Sequence, residues 1–171
     1  MKKIIVIGCP GSGKSTFAKA LHNATGIGLY HLDMLNWNSD RTTVGKEIFR
    51  SRLMDVLAQP EWIIDGNYGS TMEMRMKECD TVFFLDYPTE ICLDGINRRK
   101  GKPRSDMPWI ETEDDDEFLE FIRNYNNVSR PAVLELLQKY SDKNIFIFTD
   151  RKDAEQFLLQ FFGYADNNGE F

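Results

Sequence analysis

Residues 3 to 16 read Lys3-Ile4-Ile5-Val6-Ile7-Gly8-Cys9-Pro10-Gly11-Ser12-Gly13-Lys14-Ser15-Thr16, and no other stretch narrows the possible folds as much. The first five residues, mostly β-branched and apolar, predict a strand buried on both faces, as in a parallel sheet. The strand runs straight into G-x-x-x-x-G-K-[ST], a loop whose backbone amides surround phosphate oxygens. Glycine at 8, 11 and 13 permits the tight turns that aim those amides inward. Thr16 to His22 continues as a helix whose N-terminal dipole also favours an anion. The candidate phosphate-binding residues are therefore Gly8, Pro10, Gly11, Ser12, Gly13, Lys14, Ser15 and Thr16. Lys14 is placed to reach the β- and γ-phosphates, and the Ser15 hydroxyl to ligate Mg²⁺. A chance glycine-rich turn would lack both the strand before it and the helix after it. The motif predicts a nucleoside triphosphate as ligand.

At 171 residues the chain fits one domain, and 42% hydrophobic with 12% aromatic content argues against disorder. Its net charge of −6 argues against direct nucleic-acid binding, which relies on Lys and Arg against phosphates. Cys9, Cys79 and Cys92 are odd in number and lack metal-ligand spacing. Cys79 and Cys92 sit among apolar neighbours and read as buried free thiols; Cys9, in the phosphate loop, is the one exposed to a positive field that favours oxidation. No signal peptide or membrane span is read, so the expected location is a reducing cytoplasm.

Four further strands are predicted: 26–33, ending in Asp33; 61–68, ending in Asp65-Gly66; 81–86, closed by Tyr87-Pro88; and 144–149. Helices are expected at 43–58, with Ile48, Leu53, Val56 and Leu57 on one side, and at 71–77 and 89–100. A further helix opens at the acidic run 113–117 and carries Phe118, Phe121, Ile122 and Tyr125; another starts at Pro131. The last carries Ala154, Phe157, Leu158, Phe161 and Phe162 on one face, and the chain from residue 163 reads as a frayed tail. Alternation of strands and helices predicts an α/β fold, a three-layer α/β/α sandwich around a five-stranded parallel sheet. Ligands of such sheets bind at the carboxyl ends of the strands, which gathers Gly8 to Ser15, Asp33, Asp65 to Tyr68, Asp86 and the loop after Thr149 at one edge.

Asp65 ends a strand where a carboxylate opposite Ser15 would hold Mg²⁺, although Asp-Gly also simply favours turns. Asp33 is placed either to take a proton from an acceptor hydroxyl or to cap the next helix. His31, two residues earlier on the same strand face, lines an acceptor pocket or is a buried, hydrogen-bonded histidine. Asp86 reads equally as a structural cap. Arg98-Arg99-Lys100-Gly101-Lys102-Pro103-Arg104 is either a solvated helix end or a lid, spanning about 98–117, that lays Arg99 and Arg104 on the transferring phosphoryl group and excludes water. Arg130 is a third candidate for that contact.

The runs G-C-P-G-S-G-K-S-T, W-I-I-D-G-N-Y, F-F-L-D-Y-P and R-R-K-G-K-P-R, with Arg130 beyond them, resemble the adenylate-kinase-like nucleotide and nucleoside kinases. H-L-D-M-L-N-W, D-G-N-Y and the acidic, Phe-rich helix after the lid are similar to the FlaR-related DNA topology modulation proteins. This resemblance implies a P-loop core (about 1–35, 60–100 and 130–162), a helical insert at 36–59 that binds the acceptor, the lid, ATP and Mg²⁺. It implies phosphoryl transfer to a small acceptor, by a monomer or homodimer. Adenylate kinases carry arginines after the second-strand Asp and in D-G-F-P-R; Asp33-Met34-Leu35-Asn36 and Asp65-Gly66-Asn67-Tyr68-Gly69 carry none. An acceptor phosphate would then need Arg41, Arg50, Arg52 or, preferably, Arg75. Without such a contact the acceptor is a nucleoside, a sugar or another hydroxyl compound, and Trp37, Tyr68 and Met72 are placed either to stack on it or to pack in the core. The alternative function is an ATP-binding regulatory factor linked to DNA topology.

Overall fold

The N-terminal apolar run forms β1 (Lys3–Gly8), the central strand of an all-parallel sheet ordered β2-β3-β1-β4-β5, in a computed structural model that describes residues 1–113 and 115–163. The tail expected from residue 163 lies, beyond Gly163, outside the described residues. The other strands are β2 (Leu29–His31), β3 (Trp62–Asp65), β4 (Thr81–Leu85) and β5 (Asn144–Phe148). Helices are α1 (Lys14–Thr25), α2 (Leu32–Asn36), α3 (Lys46–Leu57) and α4 (Gly69–Glu78). They continue as α5 (Thr89–Arg99), α6 (Asp116–Val128), α7 (Arg130–Lys139) and α8 (Arg151–Phe162).

Side-chain alternation along β1 divides the core in two. Ile4 and Val6 face a layer with Phe17, Leu21, Phe83, Phe148, Phe157 and Leu158, drawn from α1, α8 and the sheet. Ile5 and Ile7 face the opposite layer, with Phe49, Leu53, Met72, Met76, Val133 and Leu137 from α3, α4 and α7. A strand covered on both sides must be apolar throughout, and Ile4, Ile5, Val6 and Ile7 are all fully buried. Each such side chain contributes about 1.5–3 kcal/mol relative to exposure. The expected three-layer α/β/α architecture is the one observed.

Some expected details differ. The strand predicted over 26–33 pairs only at Leu29, Tyr30 and His31, so Asp33 lies in the first turn of α2 and does not share a strand face with His31. α3 begins at Lys46 behind Gly45, whose φ of 86° stops the helix from extending back to Thr43; Thr43 instead bridges Trp37. Phe49, Leu53, Val56 and Leu57 form its buried stripe, and Ile48, one position around the helix, is 53% exposed. That stripe joins the buried cluster of Ile5 and Ile7, with α2 and α4 as the neighbours of α3. Met72 is core, as one of its two readings had it. Phe121 and Phe161 are exposed, while Ile122 and Tyr125, and Ala154, Phe157 and Leu158, carry the burial of α6 and α8.

Candidate active site

The phosphate loop between β1 and α1 is held from below by α5. A Cβ on Gly11, at φ 82°, would lie 2.0 Å from the Cys92 carbonyl oxygen, and one on Gly95 would lie 2.0 Å from the Gly11 carbonyl oxygen. Only a glycine pair allows this approach. Gly8 sits under the loop, and its amide donates to Asn67 Oδ1 at 3.1 Å. The Lys14 ammonium donates across the loop to the Cys9 carbonyl at 3.0 Å. Desolvation lowers its pKa, with Asp65 and Asp33 among the anions that oppose the shift.

A cleft of about 720 Å³ opens above the loop, lined by Gly11 to Thr16. Besides Lys14, six cations line it among the described residues: Lys19, Arg98, Arg99, Lys102, Arg104 and Arg151; Asp106 is the one carboxylate among them. In a chain of net charge −6 this concentrates positive potential at one place. Ser12 also lines it, 2% exposed, with a hydroxyl that has no hydrogen-bond partner among the described residues. Left-handed glycines, an unpartnered buried hydroxyl and clustered cations fit a polyphosphate.

A second cavity of about 900 Å³ carries Asp33, Trp37, Asp65 and Tyr68, and shares Lys14, Ser15, Arg99 and Asp106 with the first. Tyr68 Oη donates to Asp33 Oδ1 at 2.7 Å and accepts from Asn36 Nδ2 at 3.3 Å. Asp33 is raised above the usual carboxylate range, chiefly by burial; the Tyr68 hydrogen bond opposes the shift, and the charges of Asp65 and Asp106 add to it. Trp37, ahead of α3, meets Trp109 from the loop after α5 edge to face, with centroids 4.8 Å apart. Insert and lid segment thus touch over the cavity.

Asp65 ends β3 at 4% exposure, with His31 Nδ1 2.6 Å from its Oδ1. Burial works against a charge on His31, but the hydrogen bond and charge of Asp65 outweigh it and raise the imidazole pKa. His31 therefore takes the buried, hydrogen-bonded alternative. Between Lys100 and α6, Gly101 N donates to the Glu111 carbonyl at 2.7 Å and closes the base of the lid segment. Arg99 Nη2 donates to Glu111 Oε1 at 2.9 Å, and its guanidinium lies 6.0 Å from the centre of the Phe118 ring. Arg104 lies near Asp106 and Glu111.

Two expected contacts are placed elsewhere. Arg75 is fully buried, lines neither cavity and donates to the carbonyls of Gly66, Asn67 and Tyr68. It staples the D-G-N-Y turn and has no reach to an acceptor. Arg130 also lines neither cavity: its Nε and Nη2 bind Asp86 Oδ1 and Oδ2, each at 2.7 Å, which ties α7 to the end of β4. Sequence reasoning missed Asp106 and Trp109; it placed Asn67 and the loop after Thr149 at this edge but gave Asn67 and Arg151 no role. Arg151 was in reach of the strand-end rule, because it starts α8 just after β5. Asp106 had no signal beyond its nearness to Arg104.

The chain matches no family profile. Over 109 residues it is 27% identical to the adenylate kinase of Thermotoga maritima; the match takes in 60% of this chain and 49% of that protein, so the chain spans about half the length of this curated relative. Its fold is similar to that of the shikimate kinase from Acinetobacter baumannii in complex with shikimate, with a TM-score of 0.63, 18% identity, and coverage of 95% of this chain and 94% of the other. The shikimate kinase from Bacteroides thetaiotaomicron superposes with a TM-score of 0.55 and 20% identity, over 92% and 94% of the two chains. The chain thus has the α/β fold of these two structures, a five-stranded parallel sheet with a glycine-rich loop after its central strand.

Proposed function

We propose that the chain transfers the terminal phosphoryl group of ATP to a hydroxyl of a small acceptor, as a P-loop kinase of the adenylate-kinase-like group. The supporting observation is that a cation-lined cleft on the phosphate loop and a carboxylate- and aromatic-lined cavity meet at the same four residues, Lys14, Ser15, Arg99 and Asp106. A protein that only bound a nucleotide would have no use for the second cavity.

In this reading the loop amides and Lys14 hold the triphosphate, and Ser15 with Asp65 would hold Mg²⁺. The metal, when bound, supplies charge neutralisation on the phosphate oxygens. The acceptor oxygen forms its bond to the γ-phosphorus while the bond from that phosphorus to the bridging oxygen breaks. The acceptor's proton passes to Asp33, and ADP departs. A carboxylate with a raised pKa is better matched to that task than an ordinary one. Tyr68 orients Asp33, Trp37 faces the acceptor, and Arg99 and Arg104 carry positive charge to the phosphoryl group from a lid that excludes water.

With Arg75 committed inside the protein, the cavity favours a nucleoside, sugar or other uncharged hydroxyl compound over a nucleoside monophosphate. Of the four arginines considered for an acceptor phosphate, Arg41 is the one that lines this cavity, together with Arg99 and Lys100. The narrower likeness to the FlaR-related DNA topology modulation proteins rests on H-L-D-M-L-N-W and D-G-N-Y, and cytoplasmic residence is proposed with it. Among the described residues no helix is long and apolar enough to cross a membrane.

ADP formation by the purified protein with Mg²⁺ and ATP, against nucleosides, nucleoside monophosphates and polyols, tests the proposal. A hydroxyl compound is expected to stimulate turnover about tenfold or more and to be recovered phosphorylated. ATP binding that no acceptor stimulates, with turnover that responds to DNA, would overturn it in favour of the regulatory alternative.

A further inference from the structure

Asp106 lies 91 residues after Ser15 in sequence, yet its Oδ2 accepts the Ser15 hydroxyl at 2.6 Å. It is 6% exposed, it lines both cavities, and its Oδ1 is 3.6 Å from Arg104 Nε. The hydroxyl it grips is the one that the loop motif reserves for a divalent cation. A carboxylate at that position faces the phosphates with like charge unless a cation stands between them. Among the described residues no three His, Cys, Asp or Glu side chains converge on a metal position. A cation here must therefore be shared with the nucleotide, and Mg²⁺ is commonly held in that way, by one or two carboxylates together with substrate phosphates.

We infer that Asp106 is the lid's contribution to the Mg²⁺ site. When Mg·ATP binds, the carboxylate gives up the Ser15 hydroxyl and engages the cation, directly or through a water. The lid then closes fully on the metal–nucleotide complex, whereas with the bare nucleotide the Asp106 carboxylate opposes the closure that the lid's own cations favour. The inference rests on the ATP reading above and adds a residue from outside the loop motif and the strand ends. It also explains why an acidic side chain is buried in a cleft whose other charged lining residues, among those described, are cations.

The test uses the full chain, Mn²⁺ as a spectroscopic stand-in for Mg²⁺, and the non-hydrolysable β,γ-imido analogue of ATP. Mn²⁺ affinity in the analogue complex is read by electron paramagnetic resonance for the native chain, Asp106→Asn and Asp106→Glu. Asp106→Asn is expected to weaken Mn²⁺ by about tenfold or more, while analogue affinity measured with EDTA stays equal or rises; Asp106→Glu regains part of the Mn²⁺ affinity. Proteolysis of the 101–113 segment supplies a second readout. In the native chain the analogue protects the segment more strongly when Mn²⁺ is present, whereas in Asp106→Asn its protection is the same with and without metal. Unchanged Mn²⁺ affinity in Asp106→Asn overturns the inference, as does a change in analogue affinity that is the same with and without metal, since the Ser15 contact is then a simple latch. A native chain that binds no analogue at all overturns the ATP reading, and this inference with it. Matching thermal melts for the three proteins separate these outcomes from misfolding.

Discussion

Asp33 and Tyr68 show how one side chain sets another's chemistry. Tyr68 sits at φ 38° and ψ 73°, a left-handed conformation that costs a β-carbon residue about 1–3 kcal/mol. The Arg75 guanidinium, clamped on the carbonyls of Gly66, Asn67 and Tyr68, offsets that cost and aims the phenol at Asp33. The hydroxyl stabilises the charged carboxylate and holds down a pKa that burial raises. Tyr68→Phe therefore raises Asp33 further. A base works only when deprotonated, so the acid limb of kcat/KM is expected to move to higher pH in this variant, with its melting temperature little changed. A limb that stays in place would remove Asp33 from the role of base. Asp33 and Tyr68 were both legible as polar residues after strands; the bond between them was not, because it joins positions 35 apart.

At the scale of elements, the phosphate loop keeps its shape because α5 presses a glycine against it. Gly95→Ala adds a methyl group 2.0 Å from the Gly11 carbonyl oxygen, too close for backbone to accommodate. Overpacking of this kind costs about 1–3 kcal/mol. The variant is expected to melt at lower temperature and to bind the ATP analogue at least about tenfold more weakly, since the loop itself must shift. Gly69→Ala, where an added methyl group meets nothing within 4 Å, is the matched control and should change neither property. The loop could be read from its glycine spacing, but nothing in the sequence of α5 announces that Gly95 is its support. In the same way, the length of β2 and the edge of the buried face of α3 depend on what lies opposite them: periodicity overran β2, and on α3 it found Leu53, Val56 and Leu57 but took Ile48 where Phe49 is buried. α6 kept its expected acidic start because Asp115 caps it locally, accepting from Phe118 N at 3.0 Å.

Across the whole molecule, the His31–Asp65 pair ties the edge strand β2 to β3, next to the sheet centre. The imidazole is held above its ordinary value, so folding gains more from the pair when His31 is charged. That stability is fully present below the unfolded histidine value of about 6.5 and is lost as pH rises through the higher folded value. Urea midpoints for the native chain should fall across that window, and His31→Gln should remove this part of the fall. Equal slopes in the two proteins would mean that the pair does not titrate there. Charge is also sorted at this scale: a chain of net charge −6 gathers seven of its cations, from α1, α5, the lid segment and α8, around one cleft.

What the sequence determined by itself is whatever depends on neighbours along the chain: the apolar run of β1, the glycine spacing and the lysine of the phosphate loop, and the strand–helix alternation that defines the sheet. These are local, because periodicity and turn chemistry act within a few residues. The tertiary structure alone decided which polar groups meet. It turned Arg75 inward, bound Arg130 to Asp86, brought Trp109 to Trp37, and set Asp106 on Ser15. Each of these choices depends on the distance and desolvation between segments far apart in sequence, and those quantities exist only once the sheet has brought the segments together.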